Sequence, residues 1–96
     1  MANDAGAAGV RAPLLTLLSR TYCHLCEDMR EALAPIARRH GATVVEVDVD
    51  ADPALERAHG DRVPVLFLGA PGDGQELCHY HLAAETVERA LSGDAR

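Results

Sequence analysis

Arg20-Thr21-Tyr22-Cys23-His24-Leu25-Cys26 places two cysteines three residues apart. A nearly continuous apolar run, Leu14-Leu15-Thr16-Leu17-Leu18-Ser19, leads into it. Such a run reads as a strand buried on both faces, since a half-exposed strand would alternate with polar residues. Beyond the cysteines, Leu25, Met29, Leu33 and Ile36 recur at spacings of four and three, with Ala32 and Ala37 beside them. That spacing predicts one face of a helix from about Cys23 to His40, closed by Gly41. Pro35 falls inside it, removing one backbone donor, so a kink is expected there. The two sulfurs therefore stand at the start of one helix, close enough to form a disulfide or to share a metal.

A Cys-x-x-C pair beside a strand–helix–strand pattern reads as a redox motif. The reason is electrostatic. Unpaired N–H groups and the positive end of the helix dipole stabilise a thiolate at the first cysteine. Cys23, nearer the loop, is expected to be the exposed nucleophile, and Cys26, one turn in, the buried resolving thiol. A protonated His24 would favour the Cys23 thiolate; a neutral one is a polar side chain on an exposed turn. Glu27 and Asp28 suit the helix dipole but disfavour a nearby thiolate. A second chemistry is open to the same sulfurs. Cys23 and Cys26 with Cys78, His79 and His81 would make a zinc-type set, although Cys78-His79-Tyr80-His81 lacks the usual ligand spacing. Small core cysteines are the third possibility, made weaker by the redox spacing at a strand-to-helix turn.

The rest of the chain supplies a frame. Thr43-Val44-Val45-Glu46-Val47-Asp48-Val49 is β-branched and partly alternating, a second strand. Asp52-Pro53 reads as an N-cap with proline at the first helical position, opening about two turns to His59 that Gly60 closes. Val63-Pro64-Val65-Leu66-Phe67-Leu68 is a third strand, and Gly69-Ala70-Pro71-Gly72-Asp73-Gly74 a turn. Gln75 to Tyr80 returns as its hairpin partner. Leu82, Val87, Ala90 and Leu91 mark a last helix, closed by Gly93. The order is β-α-β-α-β-β-α, a mixed four-stranded sheet with a parallel first pair and helices on both faces.

The totals limit the function. The 96 residues make one domain with a small core. We expect a flexible, Gly/Ala-rich segment over residues 1–12 and a single domain over 13–93. Tyr22, Phe67 and Tyr80 are the only aromatics, so Leu, Val and Ala must build the core. A net charge of −6 argues against nucleic acid and against a polybasic membrane surface. No apolar run approaches the roughly 20 residues of a membrane span. The first residues lack the basic and apolar regions of a signal peptide. Three cysteines are odd in number and too few for a disulfide-stapled secreted domain. A reducing cytoplasm is the expected compartment, and a monomer the expected state.

Ser19-Arg20-Thr21-Tyr22-Cys23-His24-Leu25-Cys26 resembles the active-site stretch of glutaredoxins, where Ser-Lys-Thr-x-Cys-Pro-x-Cys is common. Val63-Pro64 before an apolar strand resembles the cis-proline segment of the thioredoxin superfamily. Cys-His-Leu-Cys followed by Glu-Asp-Met, with Asp61-Arg62-Val63-Pro64-Val65, is similar to small bacterial glutaredoxin-like proteins. The resemblance implies a thioredoxin-like fold of glutaredoxin type over about residues 13–92. It implies that Pro64 is cis and lies beside the Cys23 sulfur, and that Val63 offers its backbone to a bound thiol substrate. Arg20 stands where glutaredoxins carry a lysine that meets a glutathione carboxylate, and its fork could grip one at two points. His24 replaces the usual proline, and Cys78-His79-Tyr80-His81-Leu82 replaces the Gly-Gly-x-Asp that holds the glutamyl end of glutathione. Tyr22 and Tyr80 would flank a substrate groove or cover the small core.

Three functions fit these residues. The leading one is a thiol–disulfide oxidoreductase acting through Cys23 and Cys26, with Arg20, Tyr22, His24, Val63 and Pro64 around the substrate. Its partner would be a disulfide-containing protein or glutathione; no bound cofactor or metal is expected, and glutathione is a candidate reductant. The others are a thiol-bearing partner-binding or redox-sensing module, and a zinc or iron–sulfur protein. The helix-start placement predicts that Cys23 in the reduced protein titrates moderately below the ~8.5 of a free thiol. A pH series of alkylation rates measures this, and a value at or above that of free cysteine would sink it.

Overall fold

The computed structural model describes residues 12–93. The expected flexible segment over 1–12 lies, except for Ala12, outside the described residues. The elements follow in the order β1 (Leu14–Ser19), α1 (His24–His40), β2 (Thr43–Asp48), α2 (Pro53–His59), β3 (Val65–Leu68), β4 (Gln75–His79) and α3 (Ala84–Leu91). Single 3-10 turns flank α2, at Val49–Ala51 before it and Gly60–Arg62 after it. The strands form one mixed sheet in the order β2-β1-β3-β4. β1 runs parallel to β2 and antiparallel to β3, and β3 and β4 make the antiparallel hairpin.

β1 is central, and its composition follows from that. Five of its six residues are buried, because both faces of the sheet are covered. Leu15 and Leu17 face one side, where Met29, Leu33 and Ile36 of α1, Leu66 and Leu77 of the hairpin and Val87 of α3 close around them. Leu18 faces the other side with Val65 and Phe67, packed by Val47, Val63 and Leu55 of α2. So α1 and α3 cover one face and α2 the other. Each fully buried leucine contributes about 1.5–3 kcal/mol relative to exposure, and these few side chains make up most of the core.

The helix after the cysteines fits its expected span closely. Its buried residues are Cys26, Met29, Leu33, Ile36 and Ala37. Leu25 and Ala32, expected on that face, are exposed instead. A helix turns about 100° per residue, and the stripe centred on Cys26, Met29, Leu33 and Ala37 leaves Leu25 at its margin. Pro35 lies on the exposed side, and the helix runs through it without a break. Gly41 ends α1 in the left-handed region at φ 65°, its N–H donating to the carbonyls of Ala37 and Arg38. At the same end, Glu88 of α3 accepts from the Arg39 guanidinium and lies 2.6 Å from Nε2 of His40. These contacts hold its carboxyl below the usual carboxylate range, His40 first, against a smaller opposing effect of burial.

Four other boundaries differ from expectation. Val49 leaves β2 to open a 3-10 turn, where Asp48 caps the N–H of Asp50. Gly60 does not close α2 in the left-handed region; at φ −56° it continues the chain into the next 3-10 turn. β3 begins at Val65, after a cis Val63-Pro64 bond. β4 ends at His79, because Tyr80 turns to φ 64°. A bulge between Leu66 and Phe67 in the β3–β4 ladder leaves Leu77 without an opposite residue. It turns both Leu77 and Cys78 toward the face beneath α1 and α3. Among the described residues no helix is long and apolar enough to cross a membrane.

The two faces of the sheet make a direct test. Leu17→Ala should cost about 2–5 kcal/mol of unfolding free energy in urea. Val45→Thr, on the exposed edge strand, should change it by no more than about 0.5 kcal/mol.

Candidate active site

The site lies at the end of the sheet where β1 runs out. Ser19 ends the strand, and Arg20-Thr21-Tyr22 carries the chain to Cys23. Tyr22 sits in the left-handed region at φ 57°, unusual for a residue with a large side chain. That turn delivers Cys23 as the N-cap of α1, with extended backbone at φ −121° and ψ 104°. Its sulfur accepts a hydrogen bond of 3.1 Å from the N–H of Cys26. One of the free amides at the helix start is thereby satisfied by sulfur instead of by the usual serine or aspartate oxygen.

The two cysteines are joined as a disulfide, with Cα atoms 5.2 Å apart. Their surroundings differ. Cys26 is fully buried on the core side of α1, whereas Cys23 is half-buried and open to solvent. The difference in exposure is the one expected from their positions, Cys23 at the start of α1 and Cys26 one turn in. Tyr22 and His24, on either side of Cys23, are fully exposed. His24 has Nδ1 4.0 Å from Glu27 Oε1, the one charged group near it in the first helical turn.

Val63 and Pro64 arrive from the other side. Leu18 is registered opposite Val65, so the antiparallel pairing of β1 and β3 carries Pro64 to the same end of the sheet as Ser19 and the cysteine loop. Pro64 is buried and Val63 half-buried. The Pro64 carbonyl accepts from the Tyr80 N–H at 2.8 Å, which fixes the segment to the end of β4. The Tyr80 hydroxyl donates to the Asp61 carbonyl at 3.0 Å. Tyr80 thus buttresses the cis-proline turn and keeps part of its ring exposed.

The chain is similar to a known family and to several solved structures. The model of the glutaredoxin-like domain family DUF836 matches residues 14–92. The chain belongs to this glutaredoxin-like family. An uncharacterized protein of Mycobacterium tuberculosis, Rv0508, is 32% identical over 87 residues, covering 85% of this chain and 81% of the relative. The solution structure of protein Ne2328 from Nitrosomonas europaea is similar at a TM-score of 0.73 and 32% identity, covering 94% of this chain and 98% of that one. The X-ray structure of protein XcR50 from X. campestris is similar at 0.63 and 39%, covering 85% and 97%. Oxidized mitochondrial thioredoxin 3 from Saccharomyces cerevisiae superposes at 0.64 with 18% identity, over 91% of this chain and 83% of that one, which shows the shared thioredoxin fold. A Cys-x-x-C pair on this fold supports thiol redox chemistry in general.

In this glutaredoxin-like chain Arg20 has partners that its sequence position did not reveal. Its Nε and Nη2 donate to the two carboxylate oxygens of Asp50 at 3.1 and 2.8 Å. Nη2 is 3.6 Å from Glu56 of α2, and Nη1 makes a longer contact of 3.4 Å with the Gly60 carbonyl. The fork expected to meet a substrate carboxylate is thus turned to one of the protein's own. Asp50 raises the arginine's already high affinity for its proton, against a smaller effect of burial. Beside it, Glu46 of β2 accepts from Ser19 at 2.7 Å and from Nε and Nη2 of Arg30. Ser19, Arg20, Thr21, Arg30, Glu46 and Asp48 line an open cleft of about 380 Å³ whose arginines and acids are largely spent on one another.

The residues of the zinc-type set do not converge. Among the described residues no three His, Cys, Asp or Glu side chains are placed to hold a metal ion. Cys78 packs half-buried against the α1–α3 face, and burial pushes its thiol up from the ordinary cysteine range. His79 stands 3.3 Å from Glu76, on the opposite side of the bulge. Nothing in the sequence marks Asp50 as a partner, and Gly60 and Asp61 enter there only as a helix stop and as part of the Asp61-Arg62-Val63-Pro64-Val65 stretch. The alternating acids of Val47-Asp48-Val49-Asp50-Ala51-Asp52 are visible there, but only the tertiary fold shows which one meets Arg20.

The Glu46 cluster should give stability a definite pH dependence. The Arg30 guanidinium holds the Glu46 carboxyl below its usual range; burial opposes this and the Ser19 hydroxyl adds to it. A carboxylate whose proton affinity falls on folding stabilises the fold above the unfolded pKa and loses that stabilisation as pH falls through the folded one. Urea midpoints should therefore drop from neutral pH into the acid range. Arg30→Gln should flatten part of that drop, by no more than about 1 kcal/mol for so exposed a pair.

Proposed function

We propose that this protein is a thiol–disulfide oxidoreductase that passes two electrons from the Cys23/Cys26 dithiol to a disulfide in another protein or to a glutathione mixed disulfide. The observation that carries the reading is the hydrogen bond from the Cys26 amide to the Cys23 sulfur, set at a helix start between an exposed and a fully buried cysteine. In the reduced protein the same amide and the helix dipole favour negative charge on Cys23. The Cys23 thiolate attacks one sulfur of the substrate disulfide. A mixed disulfide forms, and the other substrate sulfur leaves as a thiolate and takes up a proton. Cys26 then gives up its proton and attacks the Cys23 sulfur. The Cys23–Cys26 disulfide forms and the second substrate thiol is released.

Val63 and Pro64, carried to the same sheet end, offer an edge for an extended substrate segment, with Tyr22 and His24 exposed beside it. The cycle closes when two thiols of a reductant, for which glutathione is a candidate, return the electrons. The protein works in this reading as a monomer, without a bound cofactor, in a reducing cytoplasm.

Cys23→Ser should abolish disulfide reduction with any reductant. Cys26→Ser should stop at the mixed disulfide with protein substrates, and keep activity only where a second glutathione can resolve it. Turnover assays with glutathione plus its reductase, and separately with a thioredoxin-reductase system, decide both points. Activity that survives Cys23→Ser would overturn the nucleophile assignment.

A further inference from the structure

Two segments must be held together for the proposed reaction: the loop that presents Cys23, and the turn that presents Val63-Pro64. They come from distant parts of the chain, and neither belongs to a strand where they approach. The Gly60–Arg62 turn, which leads into Val63, is tied down by side chains from three directions. Tyr80, following β4, donates to the Asp61 carbonyl at 3.0 Å. Arg62 itself donates to Glu76 of β4 at 2.7 Å and lies 3.0 Å from Nδ1 of His59. The third tie comes from the cysteine loop, where Arg20 reaches the Gly60 carbonyl.

Arg20 is suited to this because its fork is held from behind. Asp50 takes two of its nitrogens at once, the bidentate geometry that fixes a guanidinium in plane. Asp50 is itself set by the 3-10 turn after β2, where its own N–H donates to Asp48 at 2.9 Å. Glu56 of α2 adds a second negative charge, and its carboxylate also fills the space beside Gly60, where an added Cβ would lie 2.7 Å from it. One guanidinium therefore joins the exit of β1, the β2–α2 connection and the end of α2.

We infer that Arg20 is a positioning residue, a brace set by Asp50 that fixes the cysteine loop relative to the cis-proline turn, and not a receptor for a substrate carboxylate. The inference rests on the dithiol reading for its effect on rate, and on geometry alone for its effect on the turn. The brace and the receptor make opposite predictions for Asp50. If Arg20 is the brace, losing Asp50 releases it and weakens the site. If Arg20 receives a carboxylate, losing Asp50 removes a competitor and strengthens substrate binding.

The experiment compares the wild type with Arg20→Gln, Arg20→Lys and Asp50→Asn on two substrates. One is hydroxyethyl disulfide, which has no carboxylate; the other is a glutathionylated peptide. With a brace, Arg20→Gln and Asp50→Asn should each lower kcat on the order of tenfold on both substrates, the size of effect that loss of alignment gives. KM should change little. Arg20→Lys, which keeps the charge without the fork, should fall between Arg20→Gln and the wild type. Amide hydrogen exchange on the oxidised proteins should quicken over residues 60–63 in Arg20→Gln and Asp50→Asn, while Leu33 and its neighbours in α1 stay protected. A loss confined to KM on the glutathionylated peptide, with a lower KM in Asp50→Asn, would overturn the inference. So would unchanged exchange over 60–63. If the wild type reduces neither substrate, the dithiol reading fails, and the exchange result still decides whether Arg20 braces the turn.

Discussion

The amide of Cys26 needs an acceptor, and the sulfur of Cys23 is the one the fold provides. Much of the structure serves to put that helix start where it is. α1 is anchored by Met29, Leu33 and Ile36 against Leu15 and Leu17, so its axis is set by core packing that begins one turn beyond Cys26. β1 ends at Ser19, and only Arg20 to Tyr22 separate it from the N-cap. So short a link leaves little freedom. The left-handed turn at Tyr22 is the form in which the link reaches the helix, at a backbone cost of about 1–3 kcal/mol. A tyrosine with its ring fully in solvent regains none of that by burial, so the packing of α1 and β1 must hold the turn in place.

The same logic explains how the sequence could reveal so much of the frame. Leu14 to Ser19 is apolar but for Thr16 and Ser19 because β1 has neighbours on both edges and helices on both faces, and a nearly continuous run is the direct record of that position. The steps from Met29 to Leu33 and Ile36 record a helix lying on a sheet. Asp52-Pro53 records a helix start because a side-chain acceptor and a missing N–H are local requirements, and Asp52 does accept from the amides of Ala54 and Leu55. Gly41 records an αL stop for the same local reason. Each signal is legible because the physics that fixes it acts within a few residues.

What the sequence hid is set by tertiary charge pairing and by register. Gly60 reads as a helix stop, yet it stays right-handed because the chain goes on into a 3-10 turn, and the space where a Cβ would stand is taken by the Glu56 carboxylate. Leu25 reads as core and is exposed, because one residue's rotation decides which side of the stripe is buried. Arg20 reads as a free cation at a strand end. Its partner lies thirty positions away, and nothing in the spacing of Asp48, Asp50 and Asp52 selects Asp50 from the three. The bulge at Leu77 is equally silent, since it depends on how β4 fits against a four-residue β3.

That bulge bears on the dithiol as well. A third cysteine is a hazard to any exchange cycle, because a competing thiolate can capture the mixed disulfide or pair with Cys26. Cys78 is kept from this role by its surroundings. The bulge turns it toward the face that α1 and α3 cover, with Leu82 packed against the same cluster. Burial then raises its proton affinity, with the Glu76 carboxylate adding to the effect and a hydrogen bond at Ala83 only partly offsetting it. A thiol that keeps its proton at neutral pH is a poor nucleophile, whereas Cys23 faces helix amides that favour its thiolate. The chain thus holds its cysteines in three environments: one open at a helix start, one buried a turn behind it, and one shielded by a local irregularity in the sheet. In the proposed cycle, the order in which they react would follow from those environments.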